Sequence, residues 1–324
     1  MKKNIAVVYG GYSAEYQISI LSGKYVSSII DSNLFNVYNI FISKEKWVEE
    51  KNNSVINKHD FSFINDEKKI NIDVAVIVIH GNPGEDGILQ SYFDLMNIPY
   101  TTCNPLTAAL TFNKYFCNNY LRNFDINMAK SIVLRKKEKF QEQLDKFITT
   151  VGFPIFIKPN EGGSSFGTYK IKQKEEVSVA IKNAFEHSDE VIVEEFILGR
   201  EITCGVVKTK NTIKAFTPCE IVSKHEFFDY ESKYNSALNE EIIPARFDNK
   251  LLEECKFLSE KIYKTLNCTG IVRVDYIVKE NKLFFLELNS IPGMTSESII
   301  PKMIKHDKIN ITELFTELIL EALE

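Results

Sequence analysis

Two apolar runs near the C-terminal end, IVRVDYIV and LFFLELN, are separated only by the polar residues 279–282, and this constrains the fold more than any other stretch of the chain. Side chains on a strand alternate with a period of two, so Arg273 and Asp275 share one face of the first run and Glu287 and Asn289 one face of the second. The short connector reads as a hairpin turn. Pairing about it sets Asp275 opposite or diagonal to Glu287, to within one residue. Two carboxylates about 5 Å apart repel by roughly 3 kcal/mol at an effective dielectric near 20. A hard divalent cation reverses that sign, and the oxygens of Asp275, Glu287 and Asn289 suit Mg2+ or Mn2+ rather than zinc or copper. The other reading of these residues is an exposed hairpin whose acids point into water.

The chain has 324 residues, enough for two or three domains with their own cores. With 44% hydrophobic and 26% charged residues it has the composition of a soluble globular protein, and a formal charge of -5 gives no footprint for nucleic acid. Six cysteines form no CxxC pair and no zinc-type spacing, which fits reduced, buried thiols and a cytoplasmic location. The apolar run after the first lysines is too short for a signal peptide, and VAVIVI at 74–79 reads as a buried strand rather than a membrane span. No membrane partner is expected.

Three segments follow from the patterning. Residues 1–104 alternate strand-like runs (IAVVYG, NVYNIFI, VAVIVIH, IPYTT) with helical ones, the pattern of an open, parallel, Rossmann-like α/β sheet covered on both faces. Ser13 reads as the N-cap of the first helix, followed by Ile18, Leu21, Tyr25, Val26 and Ile29 at helical spacing. Ligands of such sheets sit beyond the carboxyl ends of strands, where GGYSAE and HGNPGEDG fall. Residues 105–195 start with a helical stretch through Lys114 and reach the strand FPIFIKP, which runs into NEGGSSFG before TYKIKQ resumes as an antiparallel partner. Residues 196–324 hold the hairpin and an amphipathic C-terminal helix.

In the loop, Gly162, Gly163, Ser164, Ser165 and Gly167 leave backbone N–H groups open to phosphate oxygens, with Lys158 beside them; a flexible turn is the alternative. The chain contains no GxxxxGK[ST], no GxGxxG, and no HRD or DFG pair, so a nucleotide here is not held by a P-loop, a dinucleotide fingerprint or a kinase site.

Lys114, KPNEGGSSFG, EEFILGRE and the group Asp275, Glu287, Asn289 resemble the ATP-grasp family in order and spacing. GGYSAE, HGNPGEDGILQ, IPYTT, FFDYESKY, VRVDY and LELNSIPGMTSES narrow the resemblance to the D-alanine:D-alanine ligases, over nearly the whole chain. The resemblance implies two ATP-grasp subdomains of antiparallel sheets, α+β in character, behind the N-terminal domain. It implies that Lys114 and Lys158 meet the phosphates of ATP with Gly163 and Ser165 in the loop. Glu194 and Phe196 would border the adenine, with Glu195 beside them, and Glu201 would hold the ribose. Asp275, Glu287 and Asn289 match the ligands of two Mg2+ ions, with Glu287 bridging.

The implied reaction passes through an acyl phosphate of a first D-alanine, which the amine of a second attacks. Arg273 and the Gly293 N–H match the donors to the developing oxyanion. Glu15 matches the group that binds the first ammonium; as an acid in the first turn of a helix it also suits the macrodipole. Ser164 and Tyr234 would close the site with Glu15, Lys233 and Ser298 would hold the second carboxylate, and His80 would line the first subsite. The segment 224–244 reads as a lid, and Tyr234 favours dipeptide over depsipeptide. Tyr16, Gly162 and Glu297 depart from the family pattern beside the substrate. A homodimer is expected by resemblance. Another ATP-grasp carboxylate–amine ligase, and a nucleotide-binding regulator without turnover, are the competing readings.

Overall fold

A computed structural model describes residues 2–163, 167–210, 212–223 and 239–324. Strand β1 (Lys3–Gly10) lies between β2 (Phe35–Ile42) and β7 (Val74–Ile77) and is parallel to both. Alternation decides which face each residue serves. Ile5, Val7 and Tyr9 join one core with Val74, Val76 and Val78, and Ala6 and Val8 join another with Ala75, Ile77 and Ile79. Both faces of the sheet are thus covered, as the apolar runs require.

Three details differ from the expectation. The sheet order is β4-β3-β2-β1-β7, and the edge strands β3 (Trp47–Glu49) and β4 (Ser54–Val55) pair antiparallel. IPYTT adds only one parallel bridge, Ala75 to Tyr100, rather than a strand. Helix α1 (Tyr16–Ile29) begins three residues after Ser13. The Ser13 hydroxyl does not cap it: it donates to the His80 carbonyl at 2.8 Å and accepts from the Glu15 N–H at 3.2 Å, tying the two ligand-facing loops together. Beyond those loops α2 (Ile88–Met96) returns across the sheet.

The helical stretch after residue 104 is two helices. Asn104 caps α3 (Pro105–Phe112) by accepting from the Thr107 N–H, and Asn113 restarts the chain as α4 (Lys114–Leu121) by accepting from Phe116. The break sets Lys114 at the start of a helix, against the glycine loop.

Strands β8 (Ser131–Arg135), β9 (Ile155–Pro159), β10 (Tyr169–Ile171) and β11 (Glu190–Glu195) form an antiparallel sheet in the order β10-β9-β11-β8. Helices α5 (Gln141–Val151) and α6 (Val177–Ala184) complete its core, which draws only on residues from this part of the chain. The last sheet runs β15-β14-β12-β16-β17, with β13 (Thr212–Ala215) also on β12. Its strands are β12 (Arg200–Thr209), β14 (Cys219–Ser223), β15 (Asn239–Ile242), β16 (Ile271–Lys279) and β17 (Lys282–Asn289).

Helix α7 (Asn249–Thr265), capped by Asp248, packs on β12 and β13. After α8 (Ile299–His306), α9 (Ile311–Leu323) places Leu314, Phe315 and Leu318 in one core with Ile5, Val7 and Val76. The architecture is mixed α/β with open sheets. All six cysteines are free and buried. Among the described residues no helix is long and apolar enough to cross a membrane.

Candidate active site

The hairpin closes as its sequence predicts. Glu280 and Asn281, with φ of 52° and 56°, form a two-residue turn whose positive φ values match the twist of the flanking strands. Asp275 pairs with Glu287 and Arg273 with Asn289, so the four candidate side chains share one face. A bulge follows at once: Tyr276 pairs with Phe285, leaving Leu286 as the extra residue.

Asp275 is buried and accepts from Arg273 Nε and Nη2, each at 2.8 Å, from Asn289 Nδ2 at 3.0 Å and from Thr203 Oγ1 at 2.5 Å. Burial pulls the Arg273 guanidinium down, but Asp275 beside it, then Glu287 and Glu201, hold it above its ordinary range, so it stays charged.

These strands form one wall of a cleft of about 500 Å³. Lys114, Lys158, Gly162, Gly163, Glu194, Glu195, Phe196 and Glu201 line it together with Arg273, Asp275 and Glu287. Lys158 on β9 pairs with Glu194 on β11 at 2.6 Å, and Glu194 also accepts from Asn118 Nδ2 at 3.3 Å. The register sets Lys158 opposite Ile192, so Glu194 is its diagonal neighbour on the same face. Burial lowers the Lys158 ammonium, yet Glu194 and then Glu287 raise it overall. Lys114 Nζ donates to the Gly162 carbonyl at 2.6 Å. Phe196 packs against Phe156 with ring centroids 5.7 Å apart, and Lys170 Nζ sits 4.1 Å over the Phe196 ring. Sequence reasoning missed Phe156 and Lys170, both in short strands with no motif of their own.

Among the described residues no cluster holds three or more His, Cys, Asp or Glu side chains placed to bind a metal. The candidate metal site has two acids and an amide, an oxygen set that suits an ion which keeps waters or phosphate oxygens as its remaining ligands. Acids outnumber cations along the described lining of the cleft, which favours an added cation. Asp275 already accepts four hydrogen bonds, one per lone pair; turning over the Asn289 amide removes one donor and presents an oxygen in its place.

The residues expected on the substrate side lie beyond the ends of β1, β7 and β17. The Glu15 carboxylate rests against Gly163: a Cβ on that glycine would stand 2.6 Å from Glu15 Oε2. Glu85 is half-buried and accepts from the Gly81 N–H at 2.7 Å and the Ile291 N–H at 3.3 Å; desolvation, then the charge of Glu15, push it up to about 7. No motif reading had singled it out. His80 is buried with both ring nitrogens engaged, Nδ1 with the Ile291 carbonyl at 2.9 Å and Nε2 with Ser22 Oγ at 3.3 Å. Gly293 and Ser298 are neighbours, since a Cβ on Gly293 would lie 3.1 Å from Ser298 Oγ. Ser298 Oγ in turn accepts from the Thr295 N–H at 3.0 Å. Tyr16 and Glu297 are exposed. Ser164, Ser165, Lys233 and Tyr234 lie outside the described residues.

The model of the D-ala D-ala ligase N-terminus matches residues 4–103, and that of the D-ala D-ala ligase C-terminus matches residues 120–320. The chain belongs to the D-alanine:D-alanine ligase family. A D-alanine--D-alanine ligase of Azobacteroides pseudotrichonymphae is 47% identical over 321 residues, covering 98% of this chain and 99% of that protein. Among solved structures, the VanG D-Ala:D-Ser ligase from Enterococcus faecalis superposes with a TM-score of 0.87 at 32% identity, covering all of both chains. The D-alanine--D-alanine ligase from Bacillus anthracis complexed with ATP gives 0.79 at 30% identity, covering 100% of this chain and 97% of that one.

The family resemblance implies Glu15 for the first ammonium group and the glycine loop for phosphate, and on that expectation the contact between Glu15 and Gly163 links the two. Gly163→Ala forces the Glu15 carboxylate to move. Loss of a well-placed charged hydrogen bond of about 1.4 kcal/mol raises the KM for the first amino acid about tenfold. The KM for ATP should change less than that, and the melting temperature should hold. Steady-state kinetics with each substrate varied in turn measures this, and an ATP effect larger than the amino-acid effect would contradict the placement of Glu15.

Proposed function

We propose that this chain is an ADP-forming ligase that joins two D-alanines into D-alanyl-D-alanine for cell-wall peptidoglycan synthesis. The observation that carries the reading is the convergence of Arg273, Asp275 and Glu287 with Lys114 and Lys158 on one cleft. Full-length similarity to ligases of that name supports the substrates, and the ATP complex of a structural neighbour supports the nucleotide.

ATP lies between the sheet of β9 and β11 and the sheet of β12, β16 and β17. Lys114 and Lys158 meet its phosphates, Phe196 and Glu194 border the base, and Glu201 holds the ribose. Asp275, Glu287 and Asn289 would hold magnesium, which would neutralise phosphate charge when bound. The first amino acid is fixed by its ammonium group on Glu15, within reach of the glycine loop.

Its carboxylate oxygen takes the γ-phosphoryl group and ADP leaves. The free amine of the second D-alanine then attacks the acyl carbon, negative charge collects on the former carbonyl oxygen, and the bond to phosphate breaks as the peptide bond forms. Arg273 and the Gly293 N–H stabilise that oxygen. Ser298, with Lys233 in the family pattern, holds the second carboxylate, and Tyr234 with Ser164 closes the site. A homodimer and a cytoplasmic location belong to the same reading and are supported by the family resemblance.

Phosphate release with Mg-ATP and D-alanine tests it, run beside L-alanine, D-serine, D-lactate and no acceptor. Release should require D-alanine, yield the dipeptide by mass spectrometry, stop with a chelator and resume with Mg2+. A rate independent of D-alanine would point to another acid and amine, and no turnover with intact ATP binding would point to a regulator.

A further inference from the structure

The loop that carries Gly293 is held from the N-terminal segment by three side chains, Ser22, His80 and Glu85. Three backbone groups of this loop are held: Ile291 N–H by Glu85 at 3.3 Å, Ile291 C=O by His80 Nδ1 at 2.9 Å, and Met294 N–H by Ser22 Oγ at 3.2 Å. Ser22 Oγ also lies 3.3 Å from His80 Nε2, and Ser22, His80 and Met294 are all buried.

Donor and acceptor rules fix the direction of this chain. A carbonyl only accepts, so His80 carries its proton on Nδ1, and in the neutral ring Nε2 then accepts. The Ser22 hydroxyl therefore donates to Nε2 and keeps a lone pair for Met294 N–H. Every donor has one acceptor, so a single tautomer satisfies all three bonds. Burial lowers the affinity of the ring for a second proton, which agrees with the neutral form. The depth of Ser22 is set by its neighbour Gly23, where a Cβ would run into the Tyr9 ring; without one, α1 lies directly on β1.

We propose that Ser22, acting through Met294 and His80, is a positioning residue that aims the Gly293 N–H at the oxygen on which charge develops. The proposal rests on the ligase reading and on Gly293 as an oxyanion donor. Ser22 is fully buried and does not line the cleft. It holds both flanks of Pro292–Gly293, and a donor displaced by about 1 Å can lose much of its effect, up to a hundredfold in rate.

Ser22→Ala is compared with Ser19→Ala. Ser19 is an equally buried serine of the same helix, accepting from the Gly10 N–H at 2.9 Å and donating to the Val78 carbonyl at 2.7 Å, with no bond to the loop. In Ser22→Ala, kcat for dipeptide synthesis should fall about tenfold or more while the KM values for ATP and D-alanine stay within about twofold. Affinity for a phosphinate mimic of the tetrahedral intermediate should fall by the same factor as kcat, and affinity for ADP should hold.

Ser19→Ala should leave kcat and mimic binding unchanged. If Ser22→Ala does not fold, Ser22→Cys, a near-isosteric weak donor, is measured in the same way. An unchanged kcat, an unchanged mimic affinity, or an equal loss in Ser19→Ala overturns the proposal. Absence of D-alanine-dependent phosphate release in the unaltered enzyme would instead overturn the ligase reading.

Discussion

Arg273→Ala lowers kcat for dipeptide synthesis by about 10²–10³, the usual effect of removing one donor to a developing oxyanion, and destabilises the fold as well. The two effects have separate origins. The guanidinium pairs with Asp275 at 2.8 Å, and its side chain is 17% exposed against 5% for that of Asp275. Without it the buried Asp275 keeps, among the described residues, the neutral donors Thr203 and Asn289, and breaking a buried pair on one side costs about 3–5 kcal/mol. Arg273→Lys separates the contributions. A point charge restores part of the electrostatic balance but cannot make two parallel bonds to Asp275 and still present an N–H to substrate. Stability should therefore recover more than turnover. Thermal denaturation and phosphate-release kinetics on the two variants measure this, and near-normal turnover in Arg273→Ala would remove Arg273 from the reaction.

Lys158→Ala raises the KM for ATP by one to two orders of magnitude, about 1.4–2.8 kcal/mol of lost binding, and leaves Glu194 as a buried carboxylate with Asn118 as its remaining described partner. The loss of stability should approach about 3 kcal/mol. The double variant Lys158→Ala, Glu194→Gln removes the stranded charge, so stability returns while ATP affinity does not; equal recovery of both would assign Lys158 a purely structural role.

The sign of the pH dependence is fixed by the raised ammonium pKa. The stabilisation is complete below the ordinary lysine value of 10.5 and is lost only as pH climbs through the higher folded value. Binding of ATP should thus show no inflection from Lys158 in neutral solution.

The hairpin was legible because the polar side chains share one face of each strand and the connector leaves only one tight way to pair them. Its bulge was not, since an extra residue at Leu286 leaves the run LFFLELN equally apolar. Alternation also predicted the two cores flanking β1. It could not reveal β3 or β4, which are too short to show a period, and it overstated IPYTT, whose apolar residues pack without extending the ladder. Ser13 looked like a cap because sequence gives residue type but not the direction of the hydroxyl, which turns to the His80 carbonyl. Asn113 could have been read as a second cap inside the helical stretch. The pairing of Lys158 with Glu194 and of Ser22 with the loop at Met294 depends on sheet register and domain packing, about which spacing along one chain is silent.

The placement of α9 bears on how the chain is made. Leu314, Phe315 and Leu318 finish a core whose other side is the first sheet, so that sheet leaves the ribosome long before the helix that seals it. The middle of the chain can condense around its own residues as soon as it emerges. The opening segment must wait with Ile5, Val7 and Val76 only partly covered, which makes stalled or shortened translation products the species most prone to stick to one another and most in need of a chaperone.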